Sequence, residues 1–433
     1  MNKSLSQSER LLAVGMALTL CAWSGGASAV VDGITGPVFN LTAKADYIST
    51  ADGNSILSWG YANGGVTMQY PGPTLIVNEG DLVTINLTNA LPTHGTDAPL
   101  PASIVFPGQN GVTTSCDATA PSGSQGLLTC EAAVGQTVSY TFTAGKPGTF
   151  MYHSGTQPDL QVEMGLVGAL IVRPNAVNPG QAYGHPDSGF NQEYLFLLTE
   201  MDPELHKLIE SGQRTAVNMT TRHPVQWFIN GRNAPDTLLD AGVPWMPTQP
   251  YNCLPRMHPG EKLLLRIINA GTDLHPFHHH GNNSWTIAHD GQLLESTPGA
   301  GPDLAVSDYT ITTIPGETYD AIFEWTGKGL GWDIYGHAPG DLLQPNEYAP
   351  DHGKPFPVTL PNQLDLTNGE FWSGTPFLGQ FGTLPPGSGG VNLNGGYFHM
   401  WHSHNERELT NDDIFPGGMM TMLIVEPPSV PIP

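Results

Sequence analysis

Positive charge is scarce in this chain. Its 433 residues include 15 lysines and arginines against 39 aspartates and glutamates, for a formal net charge of −24. Proteins that bind nucleic acids or anionic membrane surfaces rely on clustered lysine and arginine, so we expect neither partner. An acidic surface is compatible with attracting cations, although acidity alone also serves solubility.

Long apolar runs are scarce as well. The segment Leu11–Trp23 is apolar but too short to span a bilayer comfortably. Lys3 and Arg10 precede its apolar centre, and Ala27-Ser28-Ala29 resembles a signal-peptidase site. We therefore predict a Sec-type signal peptide over residues 1–29, a periplasmic or extracellular product and no membrane span.

Cysteine is rare, and three of the four cysteines lie beyond the predicted signal: Cys116, Cys130 and Cys253. In an oxidising compartment the first two, which flank a Gly/Ser/Thr-rich segment, are predicted to form a local disulfide. Cys253 then remains, either as a buried residue or as a free thiol.

Charged residues are also few, whereas glycine (52), proline (39) and tryptophan (9) are abundant. This composition favours all-β domains with many turns over helix bundles. A turn followed by an apolar strand occurs twice, at 78–87 and at 259–269. The repeated plan predicts two copies of one β-sandwich domain.

Composition also suggests domain boundaries. We expect a first domain over 30–175, a Pro/Gly/Asn-rich linker over 176–192 and a second domain over 193–433. Residues 338–396 form a Pro/Gly-rich insertion in the second domain, whose role as a covering loop, a subunit-contact arm or a partly disordered insertion stays open. A short helix is predicted over 202–212.

Two histidine-rich stretches dominate the chemistry: His275-Pro276-Phe277-His278-His279-His280-Gly281 and His402-Ser403-His404. Side chains alternate along a strand, so His278 and His280 should share one face while His279 points to the other. His402 and His404 should likewise share a face. Imidazole is a common ligand of copper, and two such pairs on adjacent strands would offer four imidazoles to one or two ions.

These stretches, with several others, resemble the multicopper oxidases, which are built of cupredoxin domains. The resemblance rests on Pro71–Thr74 with Glu79–Asp81, Gly148–Ser154, His275–Gly281, and Trp401–His404 with the later Gly-Met-Met. It implies two cupredoxin-like Greek-key β-sandwich domains, a copper cofactor, and a small-molecule or metal-ion reductant with dioxygen as the oxidant. Two-domain laccases and copper nitrite reductases of similar length imply a homotrimer.

The blue-copper site of the family is degenerate in this sequence. By the resemblance His275 takes the place of its first imidazole, Ser403 that of the cysteine thiolate, and Glu408 that of the second imidazole. Met419 or Met420 matches the axial position. A hydroxyl cannot replace a thiolate as a copper ligand, so we predict no blue copper. His275 stays a weaker candidate for a metal ligand, and its alternative role is that of a vestigial or hydrogen-bonding residue.

The three-copper site of the family is incomplete too. The first-domain His-x-His pair is missing around 102–106, and Gly155 replaces the partner of His153. The residual metal ligands that the resemblance implies are His278, His280, His402 and His404, with His153 as a fifth from the first domain.

Three functions are compatible with this set. The first is a copper-dependent oxidoreductase that takes electrons directly from its substrate or a partner. The second is a protein that binds or sequesters copper without turnover, and the third is a structural cupredoxin scaffold. Four acidic residues near the C-terminus could form a solvated loop or an entry site for a metal ion: Glu406, Glu408, Asp412 and Asp413. His289 is expected to be structural, and His337 is left without an assigned role.

Overall fold

The structure is a computed structural model that describes residues 31–116, 129–175, 180–344, 347–355, 374–376, 397–426 and 430–432. The predicted signal peptide and most of the predicted insertion lie outside these residues. So does part of the predicted linker.

The first half of the chain forms two sheets that face each other. Its strands are β1 (Ile34–Thr35), β2 (Val38–Ser49), β3 (Ser55–Asn63), β4 (Gly72–Asn78), β5 (Leu82–Asn89), β6 (Thr113–Thr114), β7 (Thr137–Thr143), β8 (Gly148–His153) and β9 (Val167–Arg173). One sheet has the order β1-β4-β9-β8 and the other β3-β2-β5-β7-β6. Burial alternates along β5 and β7, so that one side of each strand faces the core between the sheets.

The second half repeats this arrangement with larger sheets. Its strands are β10 (Gln192–Met201), β11 (Gln226–Ile229), β12 (Arg256–Met257), β13 (Lys262–Asn269), β14 (His275–His279), β15 (Ser284–His289), β16 (Gln292–Leu293), β17 (Val306–Asp308), β18 (Thr310–Thr313), β19 (Thr318–Glu324), β20 (Gly374–Pro376), β21 (Tyr397–Ser403) and β22 (Met420–Val425). One sheet has the order β11-β10-β13-β19-β15-β16, with β17 on β15. The other has the order β12-β22-β21-β14-β18, with β20 on β21.

Among the described residues, two short α-helices accompany the sheets. Helix α1 (Pro158–Glu163) precedes β9, and α2 (Pro203–Glu210) follows β10 within the predicted helical stretch. Asp202 caps α2 by accepting a hydrogen bond from the Glu204 amide, and proline at the next position suits a first helical turn. In the described part of the chain, no helix is long and apolar enough to cross a membrane.

Each pair of sheets encloses its own apolar core. The first core includes Trp59 and Tyr140, and the second includes Trp227, Phe277 and Trp401. A further buried cluster contains residues from both halves, among them Ile171 and Phe228. Burial of this shared surface fixes the two sandwiches against each other.

The predicted all-β class with cupredoxin-like sandwiches is confirmed. The exact domain boundaries stay a prediction, although the two pairs of sheets fall on either side of the proposed linker. The structure pairs Cys116 with Cys130 in a disulfide whose Cα atoms lie 5.9 Å apart. Cys253 is buried among the apolar side chains of the second core.

Candidate metal centre

The two histidine stretches lie on adjacent antiparallel strands in the second sandwich. Strand β14 pairs with β21 so that His278 is directly opposite His402 and Phe277 is opposite Ser403. Directly opposed residues project to the same face of a sheet. The register therefore places both His-x-His motifs at one end of the sheet, on one face.

Four imidazole rings gather there. The His278 ring centroid lies 4.8 Å from that of His280, 5.3 Å from that of His402 and 4.7 Å from that of His404. The rings of His280 and His402 are 5.1 Å apart. Ligand atoms of His278, His280 and His402 lie within 4.8 Å of one another, and this group contains no acidic side chain.

The nitrogen atoms are arranged as in an imidazole metal site. His280 Nε2 and His402 Nε2 are 3.1 Å apart. Metal–imidazole bonds of about 2.0–2.1 Å in a tetrahedral site place ligand atoms roughly 3.3 Å apart. His402 Nδ1–H donates to the Ser403 carbonyl at 2.6 Å, which leaves its Nε2 lone pair directed at the cluster.

The surroundings favour neutral imidazoles. Burial, and then the neighbouring imidazoles His280, His402 and His404, lower the pKa of His278 to about 3. Burial likewise lowers the pKa of His402. Because metals bind the neutral ring, the cluster is ready to bind without first releasing protons at neutral pH.

His279 and His404 have different positions around this group. The His279 ring points away from the cluster, packs edge-on against Phe323 and Trp401, and accepts a hydrogen bond from the Ser284 amide. His404 is exposed, and its ring reaches His278 from the solvent side. The exposed Tyr309 ring also contacts His278, at 5.7 Å between centroids.

The remaining predicted ligand, His153, ends β8 in the first sandwich. In the described part of the chain it is not a member of the group around His278. Its Nδ1–H donates to the Ser154 carbonyl at 2.9 Å, the same local arrangement that His402 has with Ser403. Its Nε2 is not engaged by that hydrogen bond, and among the described residues His153 belongs to no group of potential metal ligands.

Packing fills the space around Gly155, which the resemblance aligns with a further histidine. A β-carbon on Gly155 would lie 2.8 Å from Val105 Cγ1 and 3.2 Å from Ser103 Oγ. Ser103 Oγ also lies 2.8 Å from Thr156 Oγ1 and accepts a hydrogen bond from the Gly155 amide. A side chain as large as histidine therefore has no room at residue 155.

His275 lies apart from the cluster, fully buried between two carboxylates. Its Nε2 is 2.9 Å from Glu200 Oε2, and its Nδ1 is 3.0 Å from Glu408 Oε2. Both ring nitrogens donate to these oxygens, so neither lone pair is open to a metal. His275 thus has the hydrogen-bonding role expected for it when the thiolate is absent.

Further hydrogen bonds complete this buried network. Ser403, at the thiolate position, donates to Glu408 at 2.5 Å, and Asn405 donates to the other Glu408 oxygen at 2.9 Å. On the far side, Arg222 lies 2.8 Å from Glu200. The interpretation of Glu408 as part of a solvated loop is wrong, because its side chain is buried against His275 while Glu406, Asp412 and Asp413 are exposed.

Charge pairing decides the protonation of this network. Burial lowers the pKa of His275, but its hydrogen bonds with Glu200 and Glu408 outweigh burial and raise the pKa to about 9. Burial raises the pKa of Glu200, but His275 and Arg222 together lower it to about 2. The structure thus holds an imidazolium between two carboxylates at the residues whose sequence resembles blue-copper ligands.

Sequence reasoning missed Glu200 and Arg222. Glu200 lies near the end of the apolar strand β10, and Arg222 lies in the segment before β11. Neither residue belongs to a motif. The one sequence feature that could have indicated a buried ion pair is the glutamate at the end of an apolar strand.

Comparison with known proteins now places the chain among its relatives. A family model described as multicopper oxidase matches residues 61–177. An L-ascorbate oxidase from Cucurbita pepo var. melopepo is 38% identical over 112 residues, which are 25% of this chain and 18% of the plant enzyme. This part of the chain is similar to the multicopper oxidases.

Another relative matches a longer stretch at lower identity. The iron transport multicopper oxidase FET3 of Saccharomyces cerevisiae is 29% identical over 236 residues, which are 54% of this chain and 30% of the yeast protein. The matches thus span less than a third of these curated proteins. Among solved structures, the blue copper oxidase from Nitrosomonas europaea superposes with a TM-score of 0.55 at 21% identity, covering 89% of this chain and 85% of that one. This likeness establishes the fold.

Proposed function

We propose that the chain is a copper-dependent oxidoreductase that uses one histidine site and lacks a blue copper. The observation that carries the proposal is the convergence of His278, His280 and His402, with His404 at its edge, beside a blue-copper position that an ion-paired His275 fills. The histidine group can bind a metal ion. The ion-paired His275 leaves no blue copper to accept electrons from a substrate.

Copper fits the donors of the histidine group. An all-imidazole set suits copper, which also stands high in the affinity series of divalent metals. Ring tautomers support the assignment, since His402 donates through Nδ1 to a carbonyl, and His278 Nδ1 lies 2.6 Å from Thr310 Oγ1. These contacts orient the rings so that Nε2 is the atom offered to the metal.

Bound copper would supply one-electron redox chemistry and an open position for dioxygen. The protein's own part is to hold the imidazoles neutral and to expose one side of the group. His404 and Tyr309 border that side and are accessible to solvent. A small phenolic molecule or a metal ion approaching there would reach the site without a relay through Ser403.

We further propose that a second chain completes the site in a homotrimer. His153 has its Nδ1–H engaged by Ser154 and its Nε2 left for a metal, yet it lies outside the group formed by its own chain. A neighbouring subunit could bring His153 to the open side of the cluster. The first sandwich of one subunit would then face the second sandwich of the next.

A periplasmic or extracellular location accompanies this proposal. The predicted signal over 1–29 and the Cys116–Cys130 pair both suit an oxidising compartment. Fusion of residues 1–29 to a reporter that is active only after export tests the location. Reporter activity that does not depend on this segment would contradict it.

A second function is favoured by the same loss of the thiolate at residue 403. Without a blue copper the histidine site could sequester copper and never turn over. Oxygen uptake by copper-loaded protein, with a phenol or a reduced metal ion as electron donor, separates the two. The oxidoreductase predicts uptake that disappears in His402→Ala, whereas a carrier binds copper and consumes no oxygen.

A further inference from the structure

A second group of potential metal ligands lies away from the histidine centre. Asp333, His337, Glu347 and His352 place one ligand atom each within 4.8 Å of one another. We propose that these four residues bind a divalent cation of the zinc type, which fastens the loop after β19 to the second sandwich. This site is independent of the copper centre, and no motif in the sequence indicated it.

The donor atoms have the spacing of a single coordination sphere. His337 Nδ1 is 3.2 Å from Asp333 Oδ2 and 3.2 Å from Glu347 Oε1. His352 Nδ1 is 2.6 Å from Glu347 Oε1 and 3.8 Å from Asp333 Oδ2. Ligands about 2.0–2.1 Å from a tetrahedral zinc ion lie roughly 3.3 Å apart, which is the middle of this range.

Backbone groups orient three of the four ligands. His352 Nε2–H donates to the Asp341 carbonyl at 2.9 Å, which makes Nδ1 the nitrogen that faces the group. The Gly353 amide donates to Asp333 Oδ2 at 2.6 Å, and the Gln344 amide donates to Glu347 Oε2 at 2.9 Å. A hydrogen bond from a ligand to a backbone group is the usual support of a metal-binding side chain.

The fourth ligand is held by ring stacking. The His337 imidazole lies parallel to the Tyr335 ring, with 3° between their planes and 5.6 Å between centroids. Both histidines retain some exposure, 15% for His337 and 18% for His352, whereas the two carboxylates are buried. The imidazole side therefore gives an ion its path into the site.

Asp333 ties the site to the protein interior. Its neighbours Trp332 and Ile334 are buried in the second core. The Asp333 amide donates to the Lys354 carbonyl at 3.1 Å, so the ends of the loop meet beside the site. Glu347 and His352 come from the far part of the loop. A bound cation would add a cross-link between that part and the core.

Donor chemistry selects the class of ion. Two imidazoles and two carboxylates form a mixed N/O set that suits zinc, while calcium and magnesium prefer oxygen donors alone. Four protein ligands leave no open position in a tetrahedral site, which is typical of a structural ion. The site would then act on stability rather than on turnover.

The test uses the full chain with Zn²⁺ as the only added metal. After zinc loading and desalting, the parent should retain one more zinc per chain than the double variant Glu347→Gln/His352→Gln. Zinc should also raise the melting temperature of the parent, because it binds only the folded chain, and this rise should shrink in the double variant. The matched control His258→Gln/Glu261→Gln removes another imidazole and carboxylate in contact, at 3.1 Å, and should bind zinc like the parent.

An ion-paired network without metal makes the opposite prediction. In that case the parent and the Glu347→Gln/His352→Gln variant retain equal zinc, and zinc shifts both melting temperatures alike. If the double variant does not fold, His337→Gln replaces it, since that ring lies at the edge of the site. Unchanged zinc retention in His337→Gln and in the control would overturn the proposal. Copper retention by His278, His280 and His402 is measured separately, so failure of one site does not imply failure of the other.

Discussion

Replacing His275 with glutamine tests whether the residues that resemble blue-copper ligands form an ion-paired network instead. The substitution removes the cation between Glu200 and Glu408 but preserves an amide that can still hydrogen-bond. Glu200 keeps Arg222 at 2.8 Å, whereas Glu408 is left with the neutral donors Ser403 and Asn405. A buried carboxylate without a cation should destabilise the fold.

The magnitude follows from two independent lines. Removing one partner of a buried ion pair costs about 3–5 kcal/mol of unfolding free energy. The pKa of His275 is about 9 in the folded chain and 6.5 ordinarily. Since one pKa unit corresponds to about 1.4 kcal/mol, that difference corresponds to about 3 kcal/mol. We therefore expect His275→Gln to lower the unfolding free energy by about 3–5 kcal/mol near pH 6.

The assay is chemical denaturation followed by tryptophan fluorescence, with copper content measured on the same samples. A double variant, His275→Gln/Glu408→Gln, neutralises the carboxylate left behind. Its loss of unfolding free energy should be smaller than the sum of the losses in the two single variants by about 1–3 kcal/mol, because the two residues are in contact. Neither variant should lose copper.

The pH dependence of the unfolding free energy tests the same ion pairs. A raised histidine pKa stabilises the folded chain fully below pH 6.5, and this stabilisation is lost as the pH rises through about 9. The lowered pKa of Glu200 acts above pH 4.5, and its contribution is lost as the pH falls through about 2. Two results would refute this interpretation of the network. In the first, His275→Gln loses stability at alkaline pH just as the parent does. In the second, His275→Gln binds one copper fewer per chain than the parent, and the double variant His275→Gln/Glu408→Gln does not recover it.

Three further predictions concern the histidine centre. His402→Ala should abolish copper retention, because it removes the nitrogen 3.1 Å from His280, while His185→Gln on the surface should leave retention unchanged; equal retention in the two would contradict the site. In a pH titration with a competing chelator, copper should stay bound near pH 5, because the pKa of His278 is about 3. Release of copper with a midpoint at the ordinary histidine pKa of about 6.5 would contradict a buried, neutral cluster. Gly155→His, which restores the residue that the family has there, should lower the melting temperature and add no copper, because a β-carbon would lie 2.8 Å from Val105; a gain of copper without loss of stability would show that this packing yields.

The histidine centre was the part of the site most open to prediction. Alternation along a strand is a local property, so His278 and His280 could be assigned to one face and His279 to the other from spacing alone. Only the register of β14 against β21 had to come from the structure, and it sets His278 opposite His402. The all-β class was likewise predictable, since turn residues and alternating apolar strands are local signals.

The ion-paired network could not be predicted in the same way. His275, Glu200 and Glu408 come from β14, β10 and the segment after β21. The family resemblance aligned His275 and Glu408 with one site, but nothing in the sequence linked Glu200 to them or indicated ion pairing. Glu408 lies in a charged run that is typical of an exposed loop, but its contacts with His275 and Ser403 bury it. The Asp333 group was missed for the same reason, since its ligands are spaced unevenly along a turn-rich segment.

The most direct test of the account is the copper content of the exported, copper-reconstituted chain together with its absorption spectrum. We predict bound copper without the intense visible band of a copper–thiolate bond, since Ser403 offers a hydroxyl and His275 is ion-paired at the residues that resemble blue-copper ligands. An intense blue band would contradict that claim and would mean that a cysteine, with Cys253 the remaining thiol, binds copper.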